Sequence, residues 1–135
     1  MSLDHHSNIT TALADAQAHP LSAKKALLCA LMIDAEADRL GAASGDVLAF
    51  RAALAAGSEA LALVFAVAGR ELELVTEAVE VPLEDYPKLS EADFMVSLYN
   101  RHSVQRVRIA RGDARWDVHA VLTEALQSLH RHPRA

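Results

Sequence analysis

The sequence predicts an α+β fold: N-terminal helices, a four-stranded antiparallel sheet and a C-terminal amphipathic helix. Three observations carry this. Of eleven valines, one lies in residues 1–60 and ten lie in 61–135. Alanine runs the other way, with 17 of its 27 residues in the first 60. Alanine is the best helix former, whereas valine fits a pleated sheet surface. Finally, segments 61–81 and 94–109 each gather their large apolar residues on one face when folded as hairpins, which a wrong register would scatter. An all-α chain of five or six helices is the runner-up.

The first helix is expected over 8–19, stopped by Pro20, because a proline disfavours helix in the residue before it. The second runs over 22–40, with Ser22 as N-cap and Gly41 in the usual C-cap place. Its middle, residues 26–33, is apolar all round, so the helix is either central or covered by another subunit. The third starts near Ser44 or Asp46 and ends near Gly57, with Val47, Phe50 and Leu54 on one stripe.

In the first hairpin Gly69-Arg70 forms the tip, glycine first as a type II′ turn prefers. Val67 then faces Leu72, Phe65 faces Leu74 and Leu63 faces Thr76, while Glu71, Glu73 and Glu77 take the opposite face. A helix with Leu72, Val75 and Val79 on one stripe stays open. In the second hairpin the loop 100–103 pairs Tyr99 with Val104, Phe94 with Ile109 and Val96 with Val107. Against it, Ser90 followed by Asp93 resembles a capping box, which would make 91–100 a helix.

The last helix follows i, i+3, i+4 spacing through Val118, Val121, Leu122, Ala125, Leu126 and Leu129. Asp113 is its expected cap, and His130 and Arg131 suit its negative end. Trp116 falls off the stripe, in the turn before the helix or against a partner.

The 135 residues suit one domain, with 1–7 and 131–135 as flexible ends. Leu, Ile, Val and Phe supply 36 residues, enough for a core without a disulfide or metal. One cysteine, Cys29, precludes an intrachain disulfide. The longest strictly apolar stretch, 60–68, is far short of the roughly 20 residues a spanning helix needs. The first eight residues are polar and include Asp4, so a secretory signal is not expected, and a cytoplasmic location is. Ten arginines against three lysines, with the alanine excess, point to a GC-rich bacterial genome.

The net charge of −5 argues against nucleic acid as a partner. That charge is unevenly spread. Residues 71–93 hold eight acids and one base, and residues 101–115 hold five arginines and one acid. The plainer reading is cross-strand pairing between the two. The functional reading joins Tyr99, Arg101, His102, Arg106, Arg108 and Arg111 into a patch for an acidic partner or small anion, since guanidinium grips carboxylate and phosphate in a fork.

Other chemistry has thinner support. Seven histidines contain no HxxxH, CxxC or ExxH pattern, so no metal and no cofactor is expected. His5, His6, His130 and His132 read as solvated end groups, and Asp15 with His19 as a surface pair. Asp34, Glu36 and Asp38 lack the central glycine and terminal glutamate of a calcium loop. No glycine-rich phosphate loop or nucleophile elbow occurs, and Ser103 beside His102 is only a sequence neighbour.

The expected function is therefore a small soluble, non-catalytic binding or assembly protein, homodimeric through its apolar second helix and strand-rich half. The alternative is a small-molecule-binding protein or enzyme. Its polar pocket would lie between the helical half and the sheet, using Tyr99, Arg101, His102 and His119.

Overall fold

A computed structural model describes residues 2–81, 83–99 and 103–131. These residues form an α+β fold with six α-helices and a three-stranded antiparallel sheet. The order is α1 (Ser2–Ala18), α2 (Ala23–Ser44), α3 (Val47–Gly57), α4 (Glu59–Ala68), β1 (Glu73–Glu80), a 3-10 turn (Leu83–Lys88), α5 (Glu91–Tyr99), β2 (Ser103–Arg111), β3 (Ala114–Asp117) and α6 (Val118–Arg131). The sheet has three strands rather than four, and the helix count matches the all-α runner-up. Of the ends expected to be flexible, residues 2–7 lie in α1 and Arg131 closes α6, whereas residues 1 and 132–135 lie outside the described residues. No described helix is long and apolar enough to cross a membrane.

Ser22 caps α2 as expected, its Oγ accepting from the Lys25 N–H at 3.1 Å. The helix does not stop at Gly41, however. It continues to Ser44 and is capped by Gly45 in the left-handed region at φ +91°. Gly41 is instead a close-approach residue, since a Cβ there would stand 3.1 Å from the Val47 Cα. Its bare Cα lets α3 cross tightly over α2. Asp46 caps α3, accepting from the Ala49 N–H at 3.1 Å.

The first predicted hairpin is corrected. Its leading strand is helix α4, with Ala60, Leu61, Leu63, Val64, Ala66 and Val67 all buried. A strand in that hairpin would direct alternate residues to opposite faces, but neighbouring elements surround this segment and reward burial on nearly every side. Ser58 starts the helix by accepting from the Leu61 N–H at 3.2 Å. Gly69-Arg70 is not a strand turn but the helix's C-terminal cap. The Glu71 N–H returns to the Ala66 carbonyl at 2.8 Å, and Arg70 holds φ +62°. This is the six-to-one bond of a Schellman cap with arginine in the place usually given to glycine. Arg70→Gly should therefore raise stability by about 0.5–1 kcal/mol. The urea midpoint reads this, and a midpoint at or below wild type contradicts it.

The second predicted hairpin is corrected too. The segment 94–99 is helical, because Ser90 accepts from the Asp93 N–H at 3.1 Å and its carbonyl from the Phe94 N–H at 2.9 Å. The helical alternative is the one that forms, with Ser90 as its N-cap and the Asp93 carboxylate turned to Arg106 rather than back to Ser90. β2 forms as a strand, but its partners differ from those expected. It lies between β1 and β3, with Val75 opposite Arg108, Glu77 opposite Arg106, and Ile109 opposite Trp116. The β2–β3 hairpin turns on Gly112-Asp113, glycine first, with Gly112 at φ +55°. Asp113 therefore sits in a strand turn and does not cap α6. Asp117 does, its Oδ2 accepting from the Ala120 N–H at 2.9 Å.

α6 buries the predicted stripe in full. Together with α2, α4, Val107 and Ile109 it forms one connected core, against which Leu74 and Trp116 pack half-buried. Strand alternation sends Val75, Glu77, Val79, Val104, Arg106, Arg108 and Asp117 to the opposite, outer face of the sheet. There α5 packs on β2 through Ser97, the one fully buried polar residue among those described.

Candidate functional site

The structure divides the predicted arginine patch. Arg106 and Arg108 lie on the outer face of the sheet, and Arg111 lies on the helix-facing side. Tyr99 is the last residue of α5. Arg101 and His102 lie outside the described residues.

Arg106 is already occupied. Its Nη2 donates to Asp93 Oδ2 of α5 at 2.9 Å, and its Nη1 to the Gln105 carbonyl at 2.9 Å. Arg115 likewise donates to Glu77 Oε2 at 3.2 Å across the outer face. The acid–base split is thus partly internal pairing, but one pair runs to α5 rather than to the next strand. Arg108 differs. It is half-buried, and its Nε is fully buried with no hydrogen-bond partner among the described residues. A buried donor without an acceptor costs about 1–3 kcal/mol, and the fold carries that cost at this nitrogen.

Beside it lies a feature the strand reading concealed. On α5, Phe94, Met95, Val96 and Leu98 are 41, 49, 41 and 54% exposed. In a hairpin, Phe94, Val96 and Leu98 would face the core. In a helix standing on the sheet through the small Ser97, they face outward. The signal that could have found this surface is the Ser90 cap, since four large apolar residues within five helical positions cannot all turn inward. A smaller apolar stripe, Leu28 and Leu31, is exposed on α2. The rest of that helix's apolar run is covered by its own chain, so α2 does not supply the main exposed surface.

The pocket alternative has less to work with. A surface cleft of about 390 Å3 is lined by Asp34, Arg51, Phe65, Gly69, Glu71 and Arg111, among others. Two of its charges are engaged with each other, as Arg51 donates to Asp34 and Asp38 while lying 4.2 Å from the Phe65 ring centroid. Arg111 sits 5.8 Å from the Trp116 ring centroid. His119 is in neither this cleft nor a second one beside Trp116, and its Nε2 lies 3.1 Å from the Ala16 carbonyl of α1. Asp15 is hydrogen-bonded at 2.6 Å by Lys25, which, with the nearby His19, holds its carboxyl below the usual range. Cys29 is buried, and that burial pushes its thiol up to about 11, so it is a neutral core residue at pH 7 and not a nucleophile. No family model, characterised protein or solved structure matches the chain.

Proposed function

We propose that this chain is a non-catalytic assembly protein that docks on a second copy of itself through α5 and the outer face of the sheet. The observation that supports the reading is the exposure of four large apolar residues within five positions, 94, 95, 96 and 98, around the single buried Ser97. Contiguous apolar surface of this kind marks interaction sites rather than ordinary protein surface. A twofold interface must be self-complementary, because the same patch serves both subunits. This patch carries both signs. Among the described residues the Arg108 Nε lacks an acceptor, and the exposed Glu73 of the outer face and Glu91 of α5 have no ion pair. A second copy supplies carboxylates to the arginine and apolar side chains to α5. β1 is an eight-residue edge strand, and Glu73, Glu77 and Glu80 guard it against indiscriminate pairing.

Light scattering at micromolar concentration tests this. The expected mass is twice the 14.5 kDa of one chain. The double variant Met95→Asp/Leu98→Asp should run as one chain with an unchanged circular dichroism spectrum, since both side chains are exposed. Arg108→Glu should weaken the dimer by about tenfold or more. A wild-type mass of one chain overturns the proposal, and a dimeric double variant removes α5 as its surface.

A further inference from the structure

We propose that His6 and His130 form a two-imidazole site for a borderline divalent transition metal such as Zn2+ or Cu2+, clamping α1 to α6. The pair follows from the packing of the two helices. Near the C-terminal end of α1, Gln17 Nε2 donates to Thr123 Oγ1 at 3.2 Å, and His119 Nε2 lies 3.1 Å from the Ala16 carbonyl. Those contacts fix an antiparallel register. His6 lies eleven residues before Gln17, and His130 eleven after His119. Eleven residues make about three turns, so both steps return to the same helix face, one toward each far end. The two rings meet there.

The meeting is nitrogen to nitrogen. His6 Nε2 and His130 Nε2 are 2.7 Å apart, with ring centroids at 3.6 Å and planes inclined at 46°. Neutral imidazole presents one lone pair in the ring plane, and it is the commonest side-chain metal ligand. Two such nitrogens bound to a tetrahedral ion at about 2.0–2.1 Å stand about 3.3 Å apart. The nitrogens must part by about 0.6 Å, and the rings must swing outward from their 3.6 Å centroid spacing so that both in-plane lone pairs converge on the ion; both rings are on the surface, where side-chain rotation supplies this. No group of three His, Cys, Asp or Glu able to hold a metal occurs among the described residues, so water completes the shell. Nitrogen donors without carboxylates favour Cu2+ and Zn2+ over Mn2+ and Mg2+. The fold gains a brace between its first and last helices, on elements other than the α5 surface.

Thermal unfolding of the full chain, prepared without a polyhistidine tag, tests the site. ZnCl2 well above its dissociation constant should raise Tm by about 3–6 °C, and MgCl2 at the same concentration should not. His6→Asn and His130→Asn should each abolish the shift while leaving the metal-free Tm near wild type. Electron paramagnetic resonance of the Cu2+ form should show two coupled imidazole nitrogens, lost in the His6→Asn/His130→Asn double variant. No Zn2+ shift in the wild type overturns the proposal, and so does a full shift in the double variant.

Discussion

Replacing Val64 with aspartate should abolish folding. Val64 is 1% exposed on α4, among the largest fully buried side chains, and belongs to the core shared by α2, α4 and α6. The change removes an apolar side chain whose burial contributes about 1.5–3 kcal/mol. It also strands a carboxylate with no cation to meet it, at a further cost of several kcal/mol. The whole stability of a domain is about 5–15 kcal/mol, so the loss takes most or all of it. Leu48→Asp is the control. Leu48 is 82% exposed in the first turn of α3, where a negative charge suits the helix dipole, and the change should stay within about 0.5 kcal/mol. Near-ultraviolet circular dichroism and urea titration read both variants. A cooperatively folded Val64→Asp with the wild-type midpoint would show that Val64 is not in the core.

The same residue separates the helix from the hairpin reading of 61–81. Strand alternation puts Leu63, Phe65 and Val67 inward and sends Val64 outward with the glutamates. The helix buries Leu63, Val64 and Val67 alike and leaves Phe65 half-exposed under Arg51. A pattern of large residues at alternate positions is satisfied by either geometry when the segment is surrounded. The deciding information was local: Ser58 as a helix cap, and alanine at 60, 62, 66 and 68.

The turn chemistry was legible in kind but assigned to the wrong glycine. A glycine-first two-residue turn does close a hairpin here, at Gly112-Asp113, outside both segments that the sequence pattern folds as hairpins. Gly69-Arg70 is also glycine-first, but it lies in a helix cap where Arg70 and not Gly69 takes the positive φ. β3 was missed because four residues, Ala114 to Asp117, are too few to show alternation, and their pairing with β2 is a tertiary fact. α6 was legible throughout because its stripe repeats over three turns with polar residues between.

The site was legible only as charge. The arginine-rich segment is real, but strand alternation parts Arg111 from Arg106 and Arg108, and Asp93 occupies Arg106. No one-dimensional pattern could show that, among the described residues, Arg108 keeps a buried nitrogen unsatisfied. The apolar face of α5 was visible in composition and hidden by the choice of strand over helix.

Arg51→Met should cost about 2 kcal/mol, the second large effect. Arg51 of α3 donates through Nη1 to the Asp34 carbonyl at 3.1 Å and to Asp38 Oδ1 at 2.9 Å, and through Nη2 to Asp34 Oδ1. Its guanidinium lies 4.2 Å from the Phe65 ring centroid of α4. One side chain thus ties α2, α3 and α4. The Arg51 and Asp34 side chains are only 21 and 25% exposed, so water screens the pair less than a surface bridge worth about 0–1 kcal/mol. Methionine keeps the apolar stem and its contact with Phe65 but leaves Asp34 half-buried without its cation. The penalty of that stranded carboxylate accounts for most of the expected loss. Asp34→Asn in the Arg51→Met background should therefore recover about 1 kcal/mol, whereas in the wild-type background it should destabilise. A double-mutant cycle in urea measures both changes. If the two losses simply add, the clamp has no coupling, and Arg51 and Asp34 become available again as free charges of the cleft they line.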